Sequence, residues 1–248
     1  MMSKVKNNSV KTQGGDPFTR WLVIGMVALV LAVGTFFFLT SEKKESNASL
    51  VALESFSPIG DVPATVDPAQ GDGIVFNAGL PLRINVFEDF QCPICKLFED
   101  PIGGYLTSLI TEKKAEVVFH PLSFLGNGQK DDESIGAANA AYCAVDEGKF
   151  LDLHKALYDV QSSVENSGFL SDDTLIAIGE KVGISSQSFS DCVKNKSKLV
   201  NVAAAMESMD RYKVTGTPTT LINGEVWNRQ NPTFDVNEFR TAVEAAVK

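Results

Sequence analysis

A chain of 248 residues that is 44% hydrophobic and 21% charged has enough apolar surface for one sizeable core and is too apolar to stay disordered. Its formal net charge is −9 at pH 7. An acidic surface of that size repels phosphate backbones, which argues against nucleic acid as a partner.

The N-terminus divides at once into a basic tail and an apolar run. Residues 1–20 carry Lys4, Lys6, Lys11 and Arg20 against Asp16, whereas no charged residue occurs from Trp21 to Ser41. Twenty-one helical residues would be about 31 Å long, the thickness of a bilayer's hydrocarbon core. The run ends in Phe36, Phe37 and Phe38, with no small-residue cleavage site after it. A retained signal-anchor helix over residues 21–41 is therefore expected rather than a cleaved signal peptide. The positive flank keeps the tail in the cytoplasm and exports the rest, giving a single-pass protein of the cell membrane with its folded domain extracytoplasmic. Taking the tail's +3 out of the −9 leaves the exported part at −12. Residues 42–72 contain Pro58, Pro63 and Pro68 and no sustained period, which predicts a flexible linker spanning on the order of 30 Å.

From Gly73 the pattern becomes that of a folded domain. GIVFN and LRINVFE read as strands, rich in β-branched and apolar residues. A helix follows from Cys92 to about Thr111, with Pro93 in the first turn, where a missing N–H costs nothing. AEVVFH is a third strand, ended by Pro121. Residues 131–212 turn helical, with apolar positions three and four apart; Ser171 suits an N-cap and Gly183 a C-cap. TGTPTTLINGEVW then reads as a hairpin turning at Asn223-Gly224, and VNEFRTAVEAAV as a closing amphipathic helix. With the helical block removed, an α/β unit remains, in which a central sheet carries a helix on each face.

The chemistry centres on EDFQCPICKLF, where Cys92 and Cys95 stand two residues apart at a strand-to-helix junction. Orphan N–H groups at a helix start favour a thiolate over a thiol, and the thiolate is the attacking species in disulfide exchange. A second cysteine one turn later can release what the first captures. Zinc fits poorly: the remaining cysteines, Cys143 and Cys192, are 49 residues apart, and His120 and His154 are 34 apart, so neither pair has ligand spacing. A disulfide within four residues closes too short a loop to act as a staple. All four cysteines fall on the exported side of the span, where disulfides persist. Three pairings of four cysteines are possible.

FEDFQCPICKLFED together with TGTPTTLINGE resembles the DsbA-like thiol–disulfide oxidoreductases of bacterial envelopes, in the thioredoxin superfamily. The similarity covers roughly residues 73–248. It implies a thioredoxin-like fold with an inserted α-helical domain, with Cys92 as the exposed nucleophile and Cys95 as the buried resolving thiol. It also implies a cis-proline at Pro218, with Thr217 beside the disulfide offering its backbone to an extended substrate. No cofactor and no metal are implied. Two departures from the family's pattern stand out. The second intervening position often holds histidine and here is Ile94, beside Pro93, so a less acidic Cys92 and a less oxidising pair are expected. Six residues before Cys92, where the family often has a buried glutamate, stands Val86; Glu88 is then the candidate proton acceptor for Cys95, against a solvated surface role. Cys143 and Cys192 are either two buried thiols or a second, structural disulfide stapling two helices of the insertion, as in some actinobacterial relatives. His120 and Trp227 read as structural, the latter as core, and His154 as an exposed or half-buried helix residue.

These residues together predict a membrane-tethered oxidoreductase that introduces disulfides into reduced, unfolded exported proteins. The family implies reoxidation by a quinone-linked thiol oxidase of the membrane. A reductase or isomerase on the same fold, or an anchored chaperone or binding module without enzymatic activity, are the alternatives.

Overall fold

In a computed structural model of the protein, the described residues are 21, 22, 24–33, 50–126 and 132–247. The chain divides into two units, Met1–Glu45 and Ser46–Lys248. In the first, residues 21, 22 and 24–33 are helical (α1). Among the described residues no helix is long and apolar enough to cross a membrane. Residues 23 and 34–41 of the anchor expected from the sequence, the tail 1–20 and the first part of the linker lie outside the described residues.

The second unit is built on a six-stranded sheet of order β1-β2-β4-β3-β5-β6. The strands are β1 (Thr65–Asp67), β2 (Gly73–Phe76), β3 (Arg83–Glu88), β4 (Glu116–Pro121), β5 (Thr219–Ile222) and β6 (Glu225–Val226). Strands β3 and β4 run parallel, which requires a crossover; helix α2 (Pro93–Thr111) supplies it. The other neighbouring pairs are antiparallel. Every residue of β2 and β4 is buried, as suits the apolar residues 74–76 and 117–119 within them. At the β5–β6 turn Asn223 and Gly224 both take positive φ, 50° and 88°, the geometry a two-residue hairpin loop needs.

Alternation along the strands sorts the helices onto two faces. Phe87 of β3 and His120 of β4 stack at 4.0 Å, and both meet Tyr212 of α7 (Leu199–Tyr212). On the opposite face Phe119 meets Phe150 and His154 of α4 (Phe150–Asp159). There α2 packs on α4 and on α8 (Val236–Ala246), the latter through Phe98, Tyr105 and Phe239. The sequence reading therefore needs a correction: α7, the last helix of the block over residues 131–212, is the cover of one sheet face. A helical period shows that an apolar stripe exists but not what it meets.

The remaining helices are α3 (Glu133–Asp146), α5 (Asp172–Lys181) and α6 (Gln187–Lys194). Helix α3 is buried nearly all round, as its alanine-rich sequence suits. Its Asn139 accepts from the Lys198 N–H at 2.9 Å and donates to the Cys192 carbonyl at 3.4 Å.

The linker expected over residues 42–72 is also corrected where it is described. Residues 65–67 form β1, paired with β2, and Leu53 is buried. The Ile59 N–H donates to the buried carboxylate of Asp152 at 2.5 Å, and the Val62 N–H to the Gly148 carbonyl at 3.1 Å. Pro58, Pro63 and Pro68 break up a long helix here but leave room for a short strand at a sheet edge.

Candidate active site

Strand β3 ends at Glu88 and α2 starts at Pro93, with Cys92 as N-cap residue. The intervening turn is clamped by Asp89. Its carboxylate accepts from the Gln91 N–H at 2.9 Å, the Leu125 N–H at 2.8 Å and the Ser134 hydroxyl at 2.8 Å. Burial nevertheless lifts the Asp89 pKa to about 6. From the far side, the Gln161 amide donates to the carbonyls of Phe90 at 2.7 Å and Cys92 at 3.1 Å. The redox turn is thus held from three other segments, by the Leu125 N–H and the side chains of Ser134 and Gln161, so its backbone is set before any substrate arrives.

Both cysteines are free thiols here. Cys95 is fully enclosed and Cys92 is only 6% exposed, so the nucleophile is recessed rather than openly exposed as the resemblance implied. The Cys92 pKa is drawn down to about 6. The largest cause is the hydrogen bond from the Cys95 thiol, with the Thr217 side chain and the backbone N–H groups of Cys95 and Ile94 adding to it against the cost of burial. The helix start contributes as the sequence suggested, but the partner thiol contributes more. Cys95 is pushed the other way, first by burial, then by its bond to Cys92 and by the charges of Cys92 and Glu88. Two thiols with pKa values driven apart divide the work into attacker and proton-bearing resolver.

The Thr217–Pro218 peptide bond is cis, and the Thr217 carbonyl oxygen lies 3.6 Å from the Cys92 sulfur. Beside them runs a groove walled by Ile94, Phe98, Pro218, Trp227, Arg229 and Phe234. Ile94 is 46% exposed on its rim. Trp227, expected in the core, is half-buried on the groove wall and packs edge-on against Phe239 at 4.9 Å.

Behind Cys95 lies a polar cluster that the sequence did not reveal. Glu88 is fully buried, which overturns the surface reading, and its Oε1 stands 2.5 Å from Nε2 of His154. His154 is itself 4% exposed, not a surface residue. Burial pulls its pKa down, but the charges of Glu88 and Glu99 outweigh that and raise it. Glu99 joins them; burial raises its pKa to about 8. Glu88, Glu99 and His154 each offer one donor atom, all within 4.8 Å of one another, a trio able to hold a metal ion that cysteine and histidine spacing alone could not suggest. Its members are up to 66 residues apart in the chain; the only local signal is that Glu99 follows Cys95 by one helical turn.

The other sequence candidates lie elsewhere. Cys143 of α3 is disulfide-bonded to Cys192 of α6, with Cα atoms 6.0 Å apart. His120 is buried on the α7 face, its Nε2 3.1 Å from the Asn85 side-chain oxygen, and burial lowers its pKa to about 3.

A family model described as thioredoxin matches residues 78–245. A probable disulfide bond formation protein D of Bacillus cereus is 22% identical over 230 residues, covering 91% of this chain and 95% of that protein. The oxidised DsbA of Mycobacterium tuberculosis superposes with a TM-score of 0.57 at 22% identity, over 71% of this chain and 93% of that one. MdbA, a thiol-disulfide oxidoreductase from Actinomyces oris, gives 0.61 at 19% identity, over 78% and 95%. The chain belongs to the thioredoxin family, and its fold is that of the DsbA-like thiol–disulfide oxidoreductases.

Proposed function

We propose that the chain is a DsbA-like protein disulfide oxidoreductase, held at the cell membrane by residues 21–41, that passes the Cys92–Cys95 disulfide to reduced, unfolded exported proteins. The observation that carries this is the Cys92 sulfur, favoured as thiolate by the Cys95 thiol and the start of α2, and facing the Thr217–Pro218 segment. A substrate thiolate attacks the Cys92 sulfur of the disulfide and Cys95 leaves, giving a mixed disulfide. A second substrate thiolate attacks the substrate's sulfur in that bond, and Cys92 departs as a stabilised thiolate. An extended substrate fits the groove, with the backbone at Thr217 beside the reacting sulfur. The reduced pair then returns its two electrons to a disulfide of a quinone-linked membrane oxidase.

Ile94 favours a second reading, a reductase or isomerase on the same site. It brings neither charge nor donor to Cys92, and a less stabilised thiolate makes a weaker oxidant. The full chain in detergent, equilibrated with glutathione buffers and then offered a reduced unfolded protein, separates the two. A potential near that of oxidising compartments with rapid substrate oxidation supports the oxidase. A strongly reducing potential with no oxidation assigns the reductase.

A further inference from the structure

The groove beside Cys92 is walled by uncharged residues with one exception. Among the described residues that line it, Arg229 alone carries a charge. Its Cζ lies over the Phe234 ring, 4.3 Å from the ring centre, a placement that favours a cation. Phe234 is anchored in turn, edge-on against Phe98 of α2 at 5.4 Å and tilted against Trp227 at 6.4 Å. Arg229 is thereby tied to the helix that starts at the redox turn.

The hairpin carries Arg229 back toward the reacting sulfur. Leu221 of β5 faces Val226 of β6 and Ile222 faces Glu225, and the Trp227 N–H extends that register by donating to the Thr220 carbonyl at 2.8 Å. Position 229 therefore lies toward the Pro218 end of β5, and Thr217, Pro218 and Arg229 line the same groove. The segment is braced from within: the Asn228 amide donates to the Val226 carbonyl at 3.2 Å and the Gln230 amide to the Asn228 carbonyl at 3.1 Å. Among the described residues no carboxylate pairs with Arg229. Glu238 of α8 accepts instead from the Gln230 N–H and, at 2.6 Å, from the Asn231 amide.

We propose, resting on the disulfide-exchange reading above, that Arg229 is a specificity-determining residue. It selects extended clients that carry Asp or Glu within about three residues of the reacting cysteine, roughly 10 Å of chain. A carboxylate at that reach meets the guanidinium, whose planar N–H fork matches it bidentately. Apolar neighbours of the same client settle against Ile94 and Trp227. The selectivity is local. A chain of net charge −9 repels acidic clients at long range, and the field of one cation is screened over about 8 Å at physiological salt. The groove thus reads where the acid stands relative to the cysteine, not how acidic the client is as a whole.

The test uses the full chain in detergent, oxidised at Cys92 and Cys95, and two reduced two-cysteine peptides of identical composition. One has Glu on both sides of its first cysteine and Gln at its far end; the other has Glu and Gln exchanged. Each oxidation rate is divided by that peptide's rate with hydroxyethyl disulfide, an uncharged oxidant that removes differences in thiol reactivity. Wild type is expected to favour the peptide with adjacent Glu about two- to fivefold, the range of an exposed charged pair, and to lose that preference in about 1 M salt. Arg229→Gln is expected to level the two rates, Arg229→Glu to reverse them, and Arg229→Lys to keep part of the preference. The ratio compares two peptides on one protein, so a loss of folded molecules lowers both rates and leaves it unmoved. Equal normalised rates on wild type, or a preference that survives in Arg229→Glu, overturn the proposal and leave the exchange reading standing. Failure of wild type to oxidise either peptide, while hydroxyethyl disulfide oxidises both, overturns the exchange reading and this proposal with it.

Discussion

At the scale of single residues, the reactivity of Cys92 rests on hydrogen bonds that can be removed one at a time. Its iodoacetamide alkylation is expected to titrate near pH 6, against about 9 for an ordinary thiol; a midpoint near 9 would contradict the activation. The linkage has a definite sign. A thiol whose folded pKa is depressed stabilises the fold fully above its unfolded pKa and loses that contribution as pH falls through the folded one. The reduced protein should therefore exceed Cys92→Ser in urea midpoint by a margin that grows between pH 6 and 9 and vanishes below. Ile94→His should lower the Cys92 pKa further and make the pair more oxidising, by about 30 mV per pKa unit, read from glutathione equilibria. The two cysteines were legible because their spacing is the chemistry. Glu88 was not: a lone carboxylate at the end of a strand reads as solvated, and only its partner from α4, remote in sequence, shows what holds it inside.

Among the elements, the bond between Cys143 and Cys192 joins α3 to α6 away from the redox turn. It closes a loop spanning 49 positions, and the chain-entropy model assigns such a loop about 4 kcal/mol. Cys192→Ser should lower the melting temperature by several degrees while leaving substrate oxidation within about twofold; loss of activity in a variant that still melts cooperatively would refute a purely structural role. The hairpin was readable from Asn223-Gly224, because positive φ at two successive positions restricts the residue types. The face that α7 covers was not readable. Its stripe of Val202, Ala205 and Met209 suits a sheet and a helical bundle equally well, and the tilted packing of Tyr212 against Phe87 and His120 is a property of the packed molecule.

For the molecule as a whole, the domain begins well before the sequence pattern turns regular. Residues 50–72 add an edge strand and supply the Ile59 N–H to Asp152, which also accepts from the Lys149 ammonium at 3.3 Å. A chain starting at residue 73 should melt lower than one starting at 50 and show more aggregation through the bared edge of β2. Equal melting curves would show that the segment is dispensable. A three-residue strand is too short to carry a period, which is why proline content alone suggested a tether there.

The recessed Cys92 sulfur, beside an Ile94 that stands out on the rim, has a consequence for client choice. A rigid, finished surface meets the rim first and stops short of bonding distance, whereas a slack strand can settle along the trough and bring its own thiol down to the reacting atom. On the proposed oxidase reading, discrimination between unfinished and mature proteins would lie in relief and depth, ahead of any difference in sulfur chemistry.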